Sequence, residues 1–458
     1  MKKKLLSLML AGSMLAAATS CSSSKSSTPP QPTTTEQGKT IVNIAYIDSN
    51  YESVGYLKKS LPSFNLNKKY QAEIDYYTFD IETESQTTAC NRLSNDILSG
   101  KVPDLIAASP AVIQRLYKNG YVADLSEIME EYGGIQKNDL LDNVAESITM
   151  DDGTIPGIFS RFELITSIVN ANFTDIDSSS WTLDRAIKEY NSAENKMLFT
   201  YLMQPLSDDM DYFLKGAIMS CFDYKSNEFH PNNGMADALD FIADMNSYAE
   251  DYQFDYWYHL DNLITGKSLL NNVRLSGINS RYKQEAIMRF DGAPVSLIGY
   301  PTTDGGKPYA IIPSMYAIPT NAANKEGAWA FICCLLSMDE QKSNNLERNG
   351  GFPVIKSAVQ PLLNESSVNL NSINNDSSGS YIMRADEDPN YEKPLMTDEK
   401  KQQLADYISN AELLPYKSEE AEEIICEEFQ AVINGKLSSD KCIELLRDRL
   451  ATFLAERK

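Results

Sequence analysis

In "PDLIAASPAVIQRLYKNG" the apolar run Leu105 to Ala108 stops at Ser109 and Pro110, and a helical pattern begins at once. Serine can cap that helix and proline suits its first turn, which leaves backbone N–H groups at the positive end of the helix dipole. Capping alone would account for Ser109, and so would a ligand held against those groups. Arg161 and Glu163 stand inside the otherwise apolar "IPGIFSRFELITSIVN". Unpaired buried charge is expensive, so either the two bond each other or they meet a ligand. "YQFDYWYHLD", residues 252 to 261, sets Tyr256, Trp257 and Tyr258 in a row. On extended backbone these alternate in direction, so Trp257 could face a ligand, or the cluster could be core. Other chemistries are missing. Gly305-Gly306-Lys307 lacks the spacing of a phosphate loop, His230 and His259 stand apart with no CxxC nearby, and the polar stretch 364 to 393 lacks the calcium-loop spacing. No cofactor, metal or catalytic residue is expected.

The elements that must position these side chains follow from periodicity. "TIVNIAYI", residues 40 to 47, alternates as a strand does and ends at the polar loop "DSNYES", which holds Asp48, Asn50 and Tyr51. A helix fits 53 to 63, a strand follows in "AEIDYYTFD", and a helix over about 84 to 99 stops at Gly100. "PDLIAAS" then reads as a strand and "PAVIQRLYKNG" as a helix stopped by Gly120. Strand and helix in alternation build a parallel sheet with covered faces. Ligands of such sheets collect at the carboxyl ends of the strands, where "DSNYES" and "AASP" lie. Near the C-terminus, Ala421, Ile425, Phe429 and Val432 form one helical stripe and Cys442, Leu446, Leu450 and Phe453 another. Trp181 and Trp329 read as core.

At 458 residues the chain exceeds one hydrophobic core, so two lobes are expected. Acidic residues outnumber basic ones 64 to 41, for a formal net charge of −23, which argues against nucleic acid as a partner. Residues 1 to 20 combine three lysines with an apolar stretch and small residues before Cys21, the pattern of a secretion signal. Residues 22 to 40, rich in Ser, Thr and Pro, read as an extended, disordered tether. The six other cysteines read mainly as small buried hydrophobes.

The ordered segments "FNLNKKYQAEI", "NRLSNDILSGKVPDLI", "LYKNGYVADLSEIMEE", "DDGTIPGIF", "WTLDRAIKEYN", "GYPTTDGG", "EGAWAFICCLLS" and "GGFPVIKSA" resemble the extracellular solute-binding proteins of ABC transporters that serve sugar uptake. The leader and Cys21 resemble a bacterial lipoprotein signal, with Cys21 lipidated and Ala18 standing where leucine is usual. The resemblance implies an α/β, two-lobed periplasmic-binding-protein (Venus-flytrap) fold, each lobe a sheet flanked by helices and joined by a hinge. Carried onto this chain, residues 41–160 and 296–340 would form the first lobe, and 161–295 and 341–458 the second. Residues 155 to 170 would be the first hinge crossing. The likeness puts Tyr300 and Asp304 near the cleft on the first lobe and makes Phe352 a cleft or hinge candidate.

The function implied is capture of a solute, a sugar or oligosaccharide, by closure of the lobes over Asp48, Asn50, Tyr51, Ser109, Arg161, Glu163, Trp257, Tyr300, Asp304 and Phe352. Delivery to ABC permease subunits would follow, from a monomer exported and held to the outer face of the membrane by lipid alone. An exported glycoside hydrolase is the rival from another class, needing two carboxyls set across a scissile bond. A sensing or adhesion module on the same scaffold is the third reading.

Overall fold

The structure, a computed structural model, describes residues 32–47, 51–78, 86–192, 212–223, 228–231, 234–250, 263, 265–278, 295–345, 350–365, 397–416 and 419–455. Cys21, Asp48, Asn50 and Trp257 lie outside these residues, as does the side chain of Tyr51. The first part of the chain runs β1 (Thr40–Tyr46), α1 (Tyr51–Asn65), β2 (Tyr70–Tyr76), α2 (Gln86–Leu98), β3 (Leu105–Ala108), α3 (Pro110–Lys118), α4 (Leu125–Tyr132) and α5 (Asp142–Ser147). The middle runs β4 (Arg161–Asn170), α6 (Leu183–Ser192), α7 (Tyr212–Cys221), β5 (Phe222–Asp223), β6 (Glu228–Phe229), α8 (Met235–Glu250), β7 (Leu270–Leu275), β8 (Val295–Leu297), β9 (Tyr300–Thr302), β10 (Gly305–Lys307) and β11 (Tyr309–Ile311). The last part runs β12 (Met315–Ala317), α9 (Lys325–Leu335), α10 (Met338–Asn345), β13 (Phe352–Pro353), α11 (Lys356–Glu365), α12 (Asp398–Ser409), α13 (Glu419–Ile433) and α14 (Ser439–Ala455).

β1 lies between β2 and β3, parallel to both, and β12 adds an antiparallel strand outside β3. Leu105 to Ala108 are fully buried, as a strand covered on both faces must be. Because β3 reaches only Ile44 to Tyr46, the start of β1 lacks a partner on that side. Thr33 fills the gap by accepting the Ile41 N–H (2.8 Å), after a turn in which the Thr35 N–H donates to the Lys39 carbonyl (2.8 Å). Residues 33 to 40 therefore fold back as a hairpin, where the sequence reading expects extended tether. Asp104 fastens the same edge: its carboxylate accepts from the backbone N–H groups of Asn43 and Asn324, each at 2.9 Å. Burial pushes that carboxyl above the usual range, opposed by the hydrogen bonds from Asn43 and Asn324.

A second sheet is built on β4. β7 and β13 pair antiparallel along one edge, β11 and β8 along the other. Alternation gives this strand two characters. Phe162, Leu164 and Ile168 join the core cluster that holds β1, β3 and α9, whereas Val169 joins a separate cluster with Trp181, Phe213 and Phe429. β4 thus contributes side chains to both cores. Trp181 and Trp329 are core as read, Trp181 in the second cluster and Trp329 in the first. The described cysteines carry free thiols, with Cys90, Cys221 and Cys442 buried.

The later chain divides differently from the expected lobes. Phe352 to Leu363 and Leu404 to Leu413 pack into the first cluster, and among the described residues Leu414 and the helices α13 and α14 return to the second. Asn143 of α5 explains part of this, donating through Nδ2 to the Ile408 and Ala411 carbonyls (both 2.9 Å). Ile298 and Tyr300 likewise belong to the second cluster, not to the first lobe.

Candidate functional site

The corner that opened the sequence reading sits where β3 delivers it, at the carboxyl end of the parallel sheet. Ser109 caps α3, its Oγ accepting the Val112 N–H (3.4 Å), and also accepts from Gln86 Nε2 (2.6 Å). Next to it in the sheet, Met315 of β12 faces Ala108. Tyr316 follows, wholly buried, with its hydroxyl pushed up by that burial against the hydrogen bonds of Ser314 and Ser160 and the charge of Arg161. This chain of contacts joins the Ser109 corner to the start of β4.

Arg161 and Glu163 lie on one face of β4, two residues apart. Arg161 is admitted by Gly351, where a β-carbon would stand 2.7 Å from the Arg161 Cβ. Glu163 does not bond Arg161; its Oε2 accepts from Nε of Arg274 on β7 (2.6 Å). In the β4–β7 register Arg274 stands opposite Ile165, one diagonal step from Glu163, and Asn272 stands opposite Ser167. Ser167 Oγ donates to Asn272 Oδ1 at 2.7 Å. Asn272 and Arg274 are exposed while Val273 and Leu275 are buried, so β7 presents a polar, exposed row on this face beside Arg161, Glu163 and Ser167 of β4, which are buried.

The opposite face carries a different arrangement. Thr166 Oγ1 accepts the Gly299 N–H (3.1 Å) and lies 2.6 Å from the Tyr407 hydroxyl of α12. A cavity of about 970 Å³ opens beside Tyr407, between α5, β8, the β9–β10 hairpin and the end of α12. Thr166 and Glu163 point to opposite faces of β4, and neither they nor Arg274 line that cavity.

The expected site residues therefore separate. Arg161 and Glu163 share one face of β4, and Ser109 ends β3 beside β12. Tyr300 is buried in the second core, its strand β9 packed on α7, where Gly216 leaves room for the Pro301 carbonyl. Asp304 sits exposed in the β9–β10 turn, 3.9 Å from Lys307 Nζ. Phe352 is fully buried, with its ring 5.6 Å from that of Phe162. Neither Tyr300 nor Phe352 can offer a face to solvent. Sequence reasoning passed over Arg274; in "NNVRLSG" its only signal is one charge in an alternating strand. Among the described residues no group of three His, Cys, Asp or Glu side chains is arranged to hold a metal, and no helix is long and apolar enough to cross a membrane.

Comparison with solved structures supports the architecture. A sugar-binding protein from Xanthomonas citri is 15% identical, with a TM-score of 0.60 over 91% of this chain and 98% of that one. An ABC substrate-binding protein from Listeria monocytogenes, solved with cycloalternan, is 13% identical, with a TM-score of 0.55 over 91% and 99%. A cyclic α-maltosyl-1,6-maltose binding protein from Arthrobacter globiformis is 12% identical, with a TM-score of 0.54 over 90% and 98%. These likenesses show the two-lobed α/β solute-binding fold. No curated protein matches the sequence. The family model described as bacterial extracellular solute-binding protein matches residues 65–369, more than half of the chain, and the chain belongs to that family.

Proposed function

We propose that the protein is the substrate-binding lipoprotein of an ABC importer, that its solute is a sugar or oligosaccharide, and that the solute is held over the polar face of the β4 sheet. The observation that carries this reading is the polar row Arg161, Glu163, Arg274 and Asn272 between two separately packed cores. A solute touching both lobes favours the closed state by its differential affinity, which is how capture proceeds without any covalent step. Family membership and the saccharides named in the related structures support the solute class. Lipidation at Cys21, residence on the outer face of the membrane, a monomeric state and handover to permease subunits complete the proposal.

Small-angle scattering of the mature chain during titration with an oligosaccharide panel is the test. One member should saturate and reduce the radius of gyration. Saturation with no compaction would sink the closure mechanism, and release of a shortened saccharide would mark the protein as a hydrolase.

A further inference from the structure

We propose that the amino end of the first sheet is a surface that rests on the phospholipid headgroups of the cell membrane, at the place where the anchored segment enters the fold. The inference rests on the reading of Cys21 as lipidated and goes beyond it by giving the anchored protein an orientation. β1, β2 and β3 are parallel, so their starts share one edge, to which α1 and α2 return the chain. β12 runs antiparallel to β3, and the stretch beyond it reaches the same edge, where Thr320 Oγ1 donates to the Gly120 carbonyl (3.2 Å) just past α3. The hairpin of residues 33 to 40 lies there too. It is held by the Ile41 N–H on Thr33 and by Lys39 Nζ on the Asn65 carbonyl (2.7 Å) at the end of α1. The segment from Cys21 therefore joins the fold at this edge and not at the carboxyl ends of the strands, where Ser109 lies.

The side chains along this edge suit the boundary between headgroups and acyl chains. Leu66 at 84% and Leu98 at 70% are the most exposed large apolar side chains among the described residues, and they follow α1 and end α2 on this edge. Tyr132, also exposed, lies beside Glu131 and within the field of Glu326. Lysine is interleaved with them: Lys68 and Lys69 stand before β2, Lys101 before β3, Lys118 at the end of α3 and Lys325 at the start of α9. Lys69 pairs with Glu326 (2.5 Å) and Lys101 with Asp96 (3.6 Å), whereas Lys68, Lys118 and Lys325 have no carboxylate partner among the described residues. Glu36, Glu131 and Asp152 bring acid near the same edge, so the surface is amphipathic with charge of both signs. Lysine stems lie along apolar surface and carry the ammonium to phosphate while leucine enters the acyl boundary, the arrangement of a protein that lies on a bilayer. Residues 21 to 31 can span at most ~40 Å, a leash that lets the edge settle and lift again. With this edge down, the Ser109 corner at the far ends of the strands faces away from the bilayer, toward arriving solute.

The experiment anchors the full mature chain at residue 21 to vesicles of phosphatidylethanolamine and phosphatidylglycerol through a His tag and a chelating lipid, so that it does not depend on acylation of Cys21. Amide hydrogen exchange at short labelling times is compared with that of the same chain free in solution. Peptides spanning residues 66 to 69 and 98 to 101 should exchange about threefold or more slowly on the vesicle, and the Ser109 corner should be unchanged. Leu66→Ser together with Leu98→Ser should abolish that protection, and Lys68→Glu, Lys118→Glu and Lys325→Glu together should lower it about twofold or more. Both sets lie on the surface, so the unfolding midpoint and the solute affinity should stay where they are. Equal exchange in the free and anchored chain, protection at the Ser109 corner in place of this edge, or protection that survives both sets of substitutions overturns the proposal. If Cys21 of protein taken from cells carries no lipid, the lipoprotein reading fails by itself, and the exchange measurement still decides the surface.

Discussion

Gly351 takes a φ of +77°, and any β-carbon there would press on the stem of Arg161. Gly351→Ala should therefore cost about 1–3 kcal/mol, combining left-handed strain with displacement of a buried arginine. Urea unfolding would read the loss as a lower midpoint, and solute affinity should fall with it. In the second lobe Lys215 is ion-paired to Glu422 in the core and its Nζ lies 3.8 Å from the centroid of the Tyr309 ring. Lys215→Met alone would remove the cation paired with a buried carboxylate and should cost about 3–5 kcal/mol, whereas adding Glu422→Leu should recover most of that. Failure of the double variant to recover would show that the cost lies elsewhere. Arg161 and Glu163 were legible because charge in an apolar run needs an explanation. Their partners were not, since Gly351 and Arg274 are distant in sequence and only strand pairing brings them close.

Elements were read more completely. β1, β2 and β3 and their intervening helices follow from alternation, helical spacing and the stops at Gly100 and Gly120, whose φ values are +88° and +72°. The reading missed where an element's environment overrode its local signal. Tyr300 resembles a cleft aromatic in its motif, yet β9 is pulled onto α7; Phe352, read as a cleft or hinge candidate, is sealed where β13 pairs with β4. Ser109→Ala should lower stability by about 1 kcal/mol through loss of the α3 cap, measured as a shift in unfolding midpoint. Thr166 is the place where three separate stretches meet: β4, the turn at Gly299 and α12. Thr166→Val removes the hydroxyl while keeping the shape. It should change the rates of closure and opening in stopped-flow binding although it lies on the face away from Arg274, and Thr166→Ser should restore them. Unchanged rates in the valine variant would mean that the contact is a passive one.

For the molecule as a whole, the two cores to which β4 contributes are the feature on which the closure proposal rests. The anchoring proposal belongs at this scale: Cys21→Ala should leave solute affinity unaltered and release the protein from the membrane fraction, as fractionation followed by immunoblot would show. Sequence alone determined the two-lobed size, the acidic surface that disfavours polyanions, the parallel first sheet and the helical stripes of α13 and α14. Those properties depend on composition and on spacing over a few residues, where periodicity is strong. Tertiary structure alone decided which core each late segment joins, which aromatics are sealed, and that Glu163 meets Arg274 and not Arg161. These outcomes depend on pairing between strands more than a hundred residues apart and on which face of β4 is covered, and no local pattern encodes either.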